Sequence, residues 1–161
     1  MITQEFLISM FDYSNGNLYW KITKGSAKKG SFVGKTLDKY GYRKFMVNQK
    51  SLLVHRAIFL IHHGYLPEFV DHFDGNKLNN AIENLREATL SQNAQNRKTM
   101  KTNKTGIKNV CWVKSINKWR VQIFKNGKHC FKKDFIDLEL AELVATEARD
   151  KFHGKYANHG E

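Results

Sequence analysis

The sequence predicts an α+β chain built from two modules in series. Three patterns support this prediction: short aromatic-rich segments broken by turn residues, an apolar run at 52–63 that suits a strand entering a buried helix, and three later strand patterns followed by one helix. With 161 residues, of which 41% are hydrophobic, the chain is long enough to form packed cores.

The first predicted module covers residues 1–98. Apolar residues at Phe6, Leu7, Met10 and Phe11 have helical spacing. The further predicted elements are hairpin strands at 18–20 and 42–47, a strand and buried helix over 52–63, a polar loop after Pro67, and a helix that begins at Thr89 or Ser91.

The second predicted module, residues 106–161, follows a basic linker at 99–105. Strands are predicted at 107–114, 118–124 and 128–135, and Asn126-Gly127 is a strong two-residue hairpin signal. Asp137 suits the cap of a helix whose small and apolar positions are spaced to lie on a sheet. The module is therefore predicted to be a three-stranded antiparallel sheet packed on one helix.

The net charge of the chain indicates which class of binding partner to expect. Lys and Arg total 27 against 15 Asp and Glu, a formal net charge of +12. Such an excess favours a polyanion, since Lys and Arg that neutralise phosphates release counterions. No apolar run approaches the roughly 20 residues needed to cross a bilayer, and the N-terminus lacks the features of a signal peptide. Cys111 and Cys130 form no CxxC pair, so a reduced compartment and no structural zinc are expected.

The most informative segment begins at Asp71-His72-Phe73-Asp74-Gly75-Asn76 and continues through Asn84 to Asn93. A histidine can take a proton from an attacking water near neutral pH, and oxygen ligands can hold a divalent cation beside a leaving oxygen. Asp71, His72 and Asn93 are therefore candidate catalytic residues for phosphodiester hydrolysis. Neighbours on a regular strand point to opposite faces, so Asp71 and His72 share one site only if the strand is irregular or the metal and water lie on opposite sides of it.

This segment, with Asn79-Asn80, Glu83-Asn84-Leu85-Arg86 and Ser91-Gln92-Asn93, resembles the HNH homing endonucleases of bacteriophages. The resemblance implies a ββα-metal core over about 68–98 and hydrolysis of double-stranded DNA with one Mg²⁺ or Mn²⁺ ion per site. It assigns Asp71 and Asn93 as metal ligands, His72 as general base, and Asn84 as the residue that fixes the hairpin loop and orients His72 through a backbone hydrogen bond. Arg97, where the family motif often has another polar residue, is predicted to contact phosphate.

The second module resembles the plant ethylene-response-factor (Apetala-type) DNA-binding domain, in pattern more than in any single signature. The residues that carry the resemblance are Gly106, Val110, Trp112, the strand 118–123 and Asn126-Gly127-Lys128. It implies that the sheet enters the major groove. Alternation predicts Trp119, Val121 and Ile123 on the inner face, and Arg120, Gln122 and Phe124, with His129, Phe131 and Lys133, on the outer face. The predicted DNA-contacting residues of the chain are Arg56, Arg97, Lys98, Lys101, Arg120, Gln122, His129 and Lys133.

Two other function classes compete with the nuclease. A non-catalytic, sequence-specific DNA-binding protein would need no working site, and the presence of Asp71, His72 and Asn93 together argues against it. An RNA-binding module could use strand-borne aromatics such as Trp112 and Phe131, but no usual single-strand signature is present. The expected setting is the cytoplasm of a phage-infected or prophage-carrying bacterium, with the protein acting as a monomer or a DNA-bound dimer.

Overall fold

The computed structural model describes residues 2–160, and the chain divides into two compact units, Met1–Ala88 and Thr89–Glu161. The sequence prediction placed the boundary after residue 98. The helix over 90–95 belongs to the second unit because its own contacts lie there. The backbone N–H of Asn126 donates to Ser91 Oγ at 2.9 Å, and Lys108 Nζ donates to the carbonyl of Gln95 at 2.7 Å.

The first unit is a mixed α/β arrangement of small antiparallel sheets. Its helices are α1 (Gln4–Met10) and α2 (Val54–His63), and its strands are β1 (Phe11–Ser14), β2 (Asn17–Trp20), β3 (Thr36–Leu37), β4 (Arg43–Val47), β5 (Lys50–Leu53), β6 (Phe69–His72) and β7 (Leu85–Ala88). Strands β1 and β2 pair with each other, as do β6 and β7, while β3, β4 and β5 form a three-stranded sheet with β4 in the middle.

Local sequence explains where the two helices of this unit begin and end. The hydroxyl of Thr3 accepts from the Phe6 N–H and caps α1. At the end of α2, Gly64 adopts φ 76° and its N–H donates to the Leu60 carbonyl, a left-handed cap that suits glycine. The predicted helix within 2–11 and the predicted strand-to-helix passage over 52–63 are both confirmed.

A single apolar cluster forms the core of the first unit. Leu7 and Leu18, from α1 and β2, are fully buried against α2 residues such as Ala57 and Ile58. Val70 and Leu85 extend this cluster to the β6–β7 hairpin. The hairpin that carries the candidate catalytic residues is therefore built directly onto the core.

The second unit contains α3 (Leu90–Gln95), β8 (Val110–Val113), β9 (Lys118–Lys125), β10 (Lys128–Phe135) and α4 (Leu138–His153). The three strands form an antiparallel sheet with β9 in the middle, as predicted. Asp137 caps α4 by accepting from the Leu140 N–H at 2.7 Å. The predicted inner-face residues pack against this helix. The core of this unit consists of Val110, Val121, Ile123, Phe135, Ala141, Ala145 and Ala148.

The pairing of β9 with β10 contains an irregularity that the sequence did not reveal. The register shifts after His129, where Cys130 is the extra residue of a β-bulge. Beyond the bulge, Phe131 and Lys133 lie opposite two core residues of β9. The prediction that Phe131 and Lys133 share the outer face with His129 is therefore wrong, because one extra residue moves every later side chain to the other face.

Residues 2–160 include no helix that is both long enough and apolar enough to pass through a lipid bilayer.

Candidate active site

The β6–β7 hairpin brings the candidate carboxylate next to an arginine. Asp71 lies directly opposite Arg86, and the pairing stays regular through His72. Arg86 Nε donates to Asp71 Oδ2 at 2.9 Å, and the distance from Arg86 Nη2 to the same oxygen is 2.8 Å. The guanidinium also lies 4.9 Å above the ring of Phe73. Asp71 is thus held in place, with its negative charge balanced inside the hairpin.

His72 lies at the end of β6 in a buried aromatic environment. Only 4% of the residue is exposed. Its ring stacks on Tyr42 with centroids 5.8 Å apart and meets His55 edge-on at 5.0 Å. Its Nε2 lies 3.0 Å from Oδ1 of Asn80. Because β6 is regular, the imidazole leaves the strand on the face opposite to the Asp71 carboxylate.

The two buried histidines have perturbed acidities. Burial lowers the pKa of His72, while the hydrogen bond with Asn80 and the charge of Asp71 act in the opposite direction. Burial also lowers the pKa of His55 to about 3, and the neighbouring charges of His72 and Arg56 add to that lowering. Both imidazoles are therefore neutral at neutral pH.

Asn84 fixes the loop that joins β6 and β7. Its Oδ1 accepts from the Asp74 N–H at 3.0 Å, its Nδ2 donates to Asp74 Oδ1 at 2.9 Å, and Nδ2 also donates to the Asn79 carbonyl at 2.8 Å. The backbone carbonyl of Asn84 accepts from the Phe73 N–H at 2.8 Å. These bonds fit the loop-fixing role predicted for Asn84, whereas the side chain that accepts from the His72 ring is that of Asn80.

Asn93 lies on α3, in the second unit, and is half-buried. This short helix has a capping box: the Thr89 hydroxyl accepts from the Gln92 N–H, and the Gln92 side chain accepts from the Thr89 N–H. Lys108 Nζ also donates to the carbonyls of Gln95 and Arg97 at the other end of the helix. The helix that carries Asn93 is therefore held at its start by its own capping box and at its end by Lys108.

The oxygen donors of the candidate residues suit a hard divalent cation. Across residues 2–160, no three His, Cys, Asp or Glu side chains cluster as a ready metal cage. A Mg²⁺ ion commonly uses one or two protein carboxylates and takes its other ligands from waters and substrate phosphates. The carboxylate of Asp71 and the amide oxygen of Asn93 are of that ligand type, so the donor chemistry fits such an ion.

The predicted DNA-contacting residues have varied surroundings. Arg56 donates to the carbonyls of Glu68 and Pro67 at 2.9 and 3.1 Å, so its guanidinium holds the chain just before β6. Arg97, Lys98 and Lys101 are exposed.

On the outer face of the second sheet, Arg120 forms a two-bond ion pair with Asp134, at 2.6 and 2.8 Å. Beside it, Gln122 lies opposite Lys132, which occupies the face predicted for Lys133. His129 is exposed and packs its ring 4.0 Å from that of Phe124. No role was predicted for Asp134 from the sequence. Its carboxylate accepts from the Arg120 donors that were predicted to read bases.

Comparison with known proteins identifies the class. The HNH endonuclease family matches residues 52–95, from β5 through α3. Protein 3.8 of Escherichia phage T7 is 36% identical over 107 residues, which cover 64% of this chain and 86% of the relative. An uncharacterized HNH endonuclease of Acanthamoeba polyphaga mimivirus is 33% identical over 145 residues, which cover 80% of this chain and 74% of the relative.

The chain therefore belongs to the HNH endonuclease family. No solved structure matches it. The family match stops at residue 95. The Apetala-type resemblance of the second unit thus has no support beyond its strand and helix pattern.

No role was predicted from the sequence for three residues that lie close to His72 and Asp71. Tyr42 and Asn80 surround the His72 ring, and Arg86 pairs with Asp71. Arg86 could have been found from the register of a β6–β7 hairpin, once its ends were known. Tyr42 carries no sequence signal that separates it from other strand residues. Asn80 lies within the segment that resembles the HNH enzymes, but nothing in the sequence pairs it with His72.

Proposed function

We propose that this chain is a metal-dependent DNA endonuclease that hydrolyses phosphodiester bonds, with His72 as general base. The observation that carries the proposal is the buried His72 imidazole, neutral and fixed beside Tyr42, His55 and Asn80, one residue after Asp71. It lies inside the segment that matches the HNH family. A fixed neutral imidazole is the form of histidine that can take a proton from water.

In the proposed reaction, His72 removes a proton from water, the resulting hydroxide attacks phosphorus, and the bond to the 3′-oxygen breaks. Asp71 and Asn93 would hold one Mg²⁺ or Mn²⁺ ion. When bound, this ion supplies electrostatic stabilisation of the charge on the leaving oxygen. Because Asp71 and His72 leave β6 on opposite faces, a phosphodiester must lie at the end of the strand for both to act on it. By resemblance, the products carry 5′-phosphate and 3′-hydroxyl ends.

The second unit is proposed to bind DNA through the outer face of its sheet, in the manner of the Apetala-type domains it resembles. Exposed Arg97, Lys98 and Lys101, before the sheet, are proposed phosphate contacts. Gln122 and His129 are on the outer face, whereas the donors of Arg120 are already engaged by Asp134. This arrangement favours phosphate and shape contacts over base reading by arginine.

The biological class proposed is a phage homing endonuclease that acts in the cytoplasm of an infected bacterium. The resemblance to phage enzymes and the relative from Escherichia phage T7 support this setting. The competing function is DNA binding without cleavage.

The test is cleavage of supercoiled plasmid and of phage DNA by the full chain, with Mg²⁺ and with EDTA. Wild type should nick or linearise the DNA only with metal. His72→Ala should lower the rate by at least about a hundredfold, the usual contribution of a general base. His63→Ala, which replaces an exposed histidine on α2, is the matched control and should cleave like wild type.

Tight binding without cleavage by wild type, with Mg²⁺ or Mn²⁺ and across several natural DNAs, would favour the non-catalytic alternative. Cleavage that persists in His72→Ala would place the chemistry at other residues.

A further inference from the structure

Asn80 is deeply buried although it belongs to a polar loop. Only 2% of the residue is exposed, and its Oδ1 lies 3.0 Å from Nε2 of His72. An amide oxygen only accepts hydrogen bonds. In the neutral form of the His72 ring the proton is therefore on Nε2, which leaves the basic lone pair on Nδ1.

The chain on both sides of Asn80 is fixed by the loop itself. The carbonyl of Asn79 accepts from Asn84 Nδ2 at 2.8 Å, and Asn79 Oδ1 accepts from the Ala81 N–H at 3.4 Å. Asn79 also donates to Asp74 Oδ2 at 2.7 Å. The peptide that presents Asn80 has little freedom to move along the loop.

The turn between β1 and β2, which comes earlier in the chain, packs against the same peptide. Gly16 lies at φ 76°, and a Cβ built there would be 2.6 Å from the Ala81 nitrogen and 2.9 Å from the Asn80 carbonyl carbon. The hydroxyl of Tyr13, on β1, accepts from the Ile82 N–H at 3.0 Å. Only glycine permits an approach this close, because the atoms in the way are backbone rather than flexible side chain.

We propose that Asn80 is the positioning residue for His72, and that the β1–β2 turn holds Asn80 in place through Gly16 and Tyr13. Asn80 keeps the ring proton on Nε2, so that Nδ1 takes the proton from water. The resulting imidazolium still donates its Nε2–H to Asn80 while the new P–O bond forms and the bond to the 3′-oxygen breaks. The catalytic part of this inference rests on the proposed nuclease function; the tautomer and its cause do not.

The first test is a long-range ¹H–¹⁵N NMR spectrum of the histidines in the metal-free full chain. At roughly pH 8 an ordinary imidazole is neutral. His72 is assigned by comparison with His72→Ala. Wild-type His72 should show the Nε2–H tautomer, with an Hε2 proton protected from solvent exchange. A proton on Nδ1, or an unprotected Hε2, would overturn the proposal.

The second test uses variants of the acceptor and of its support. Asn80→Leu removes the acceptor at similar volume, and Hε2 should exchange about tenfold faster because a buried donor loses its partner. Asn80→Asp keeps an acceptor oxygen and should restore protection. Gly16→Ala should weaken protection in the same direction as Asn80→Leu. Asn76→Ala, an exposed asparagine of the same loop, should leave Hε2 unchanged.

Unchanged exchange in a folded Asn80→Leu variant would overturn the role of Asn80, and unchanged exchange in Gly16→Ala would overturn the role of the turn. If Asn80→Leu does not fold, the wild-type spectrum and Asn80→Asp still decide the proposal. Cleavage by Asn80→Leu should fall at least about tenfold with Mg²⁺, with Asn80→Asp faster than Asn80→Leu. If wild type itself does not cleave DNA, the proposed function fails, while the spectra still test the positioning of His72.

Discussion

Acid should destabilise the first unit through His55, a buried histidine of α2 that contacts Tyr42 and His72. Its pKa is about 3 in the folded chain, against 6.5 for an ordinary histidine. Between these two values the unfolded chain binds a proton that the folded chain does not, so stability falls as the pH drops from 6.5 towards 3. For this pKa difference, the loss from pH 7 to pH 4.5 is about 2–3 kcal/mol.

The variant His55→Phe removes this proton site and keeps a flat ring against Tyr42. Urea unfolding at pH 7 and pH 4.5 should show that wild type loses about 2–3 kcal/mol more stability on acidification than the variant does. Replacing Trp112 and Trp119 by Phe in both proteins leaves Trp20, whose ring lies 4.8 Å from Phe11, as the fluorescent reporter of the first unit.

His63→Phe on the same helix is the control, since His63 is exposed, and it should lose as much stability as wild type does. Equal acid sensitivity of wild type and His55→Phe would refute the reasoning that burial keeps His55 neutral.

Three further predictions concern the second unit. Asp137→Ala removes the side chain that accepts from the Leu140 N–H and should cost about 1 kcal/mol in urea unfolding, and an unchanged midpoint would contradict this capping role. Ile123→Ala, at a fully buried site, should cost about 2–5 kcal/mol in the same assay, and a loss typical of surface sites would mean that this core is loosely packed. Asp134→Asn releases the guanidinium of Arg120 for a phosphate. DNA affinity should therefore rise, and its salt dependence should steepen by about one phosphate contact. DNA affinities measured at several salt concentrations that match those of wild type would show that Arg120 does not face DNA.

The secondary structure of this chain was largely predictable because the signals are local. Turn residues at Asn126-Gly127 and the Asp137 cap fix the ends of β9, β10 and α4 within a few residues. The predicted faces of β9 are correct for the same reason, since strict alternation continues through that strand.

The faces of β10 were not predictable, because the bulge at Cys130 breaks the alternation. Cys130 Sγ donates to the carbonyl of Ile123 at 3.4 Å and packs at the edge of the core, so the extra residue is accommodated on the inner side. A small, weakly polar side chain such as that of Cys130 does not indicate a bulge in the sequence, so the predicted face of Lys133 is wrong.

The candidate site was predictable only as far as its motif extends. Asp71, His72, Asn84 and Asn93 follow from residue types and their order. The partners of His72 do not, because Tyr42 reaches it from before α2 and Asn80 from within a loop whose path depends on Gly16. Such contacts between distant parts of the chain are decided by packing rather than by local spacing.

The ion pair between Arg120 and Asp134 has a consequence for how the second unit would move on DNA. A cation that is already satisfied by a neighbouring carboxylate gains little from a passing phosphate, since each new contact first breaks the existing pair. If the second unit binds DNA as proposed, the centre of its sheet would bind random sequences weakly, even though the chain carries a net charge of +12. Weak binding at the centre of the sheet, with electrostatic attraction supplied by the surrounding lysines, would let the protein slide along DNA while it searches for a site.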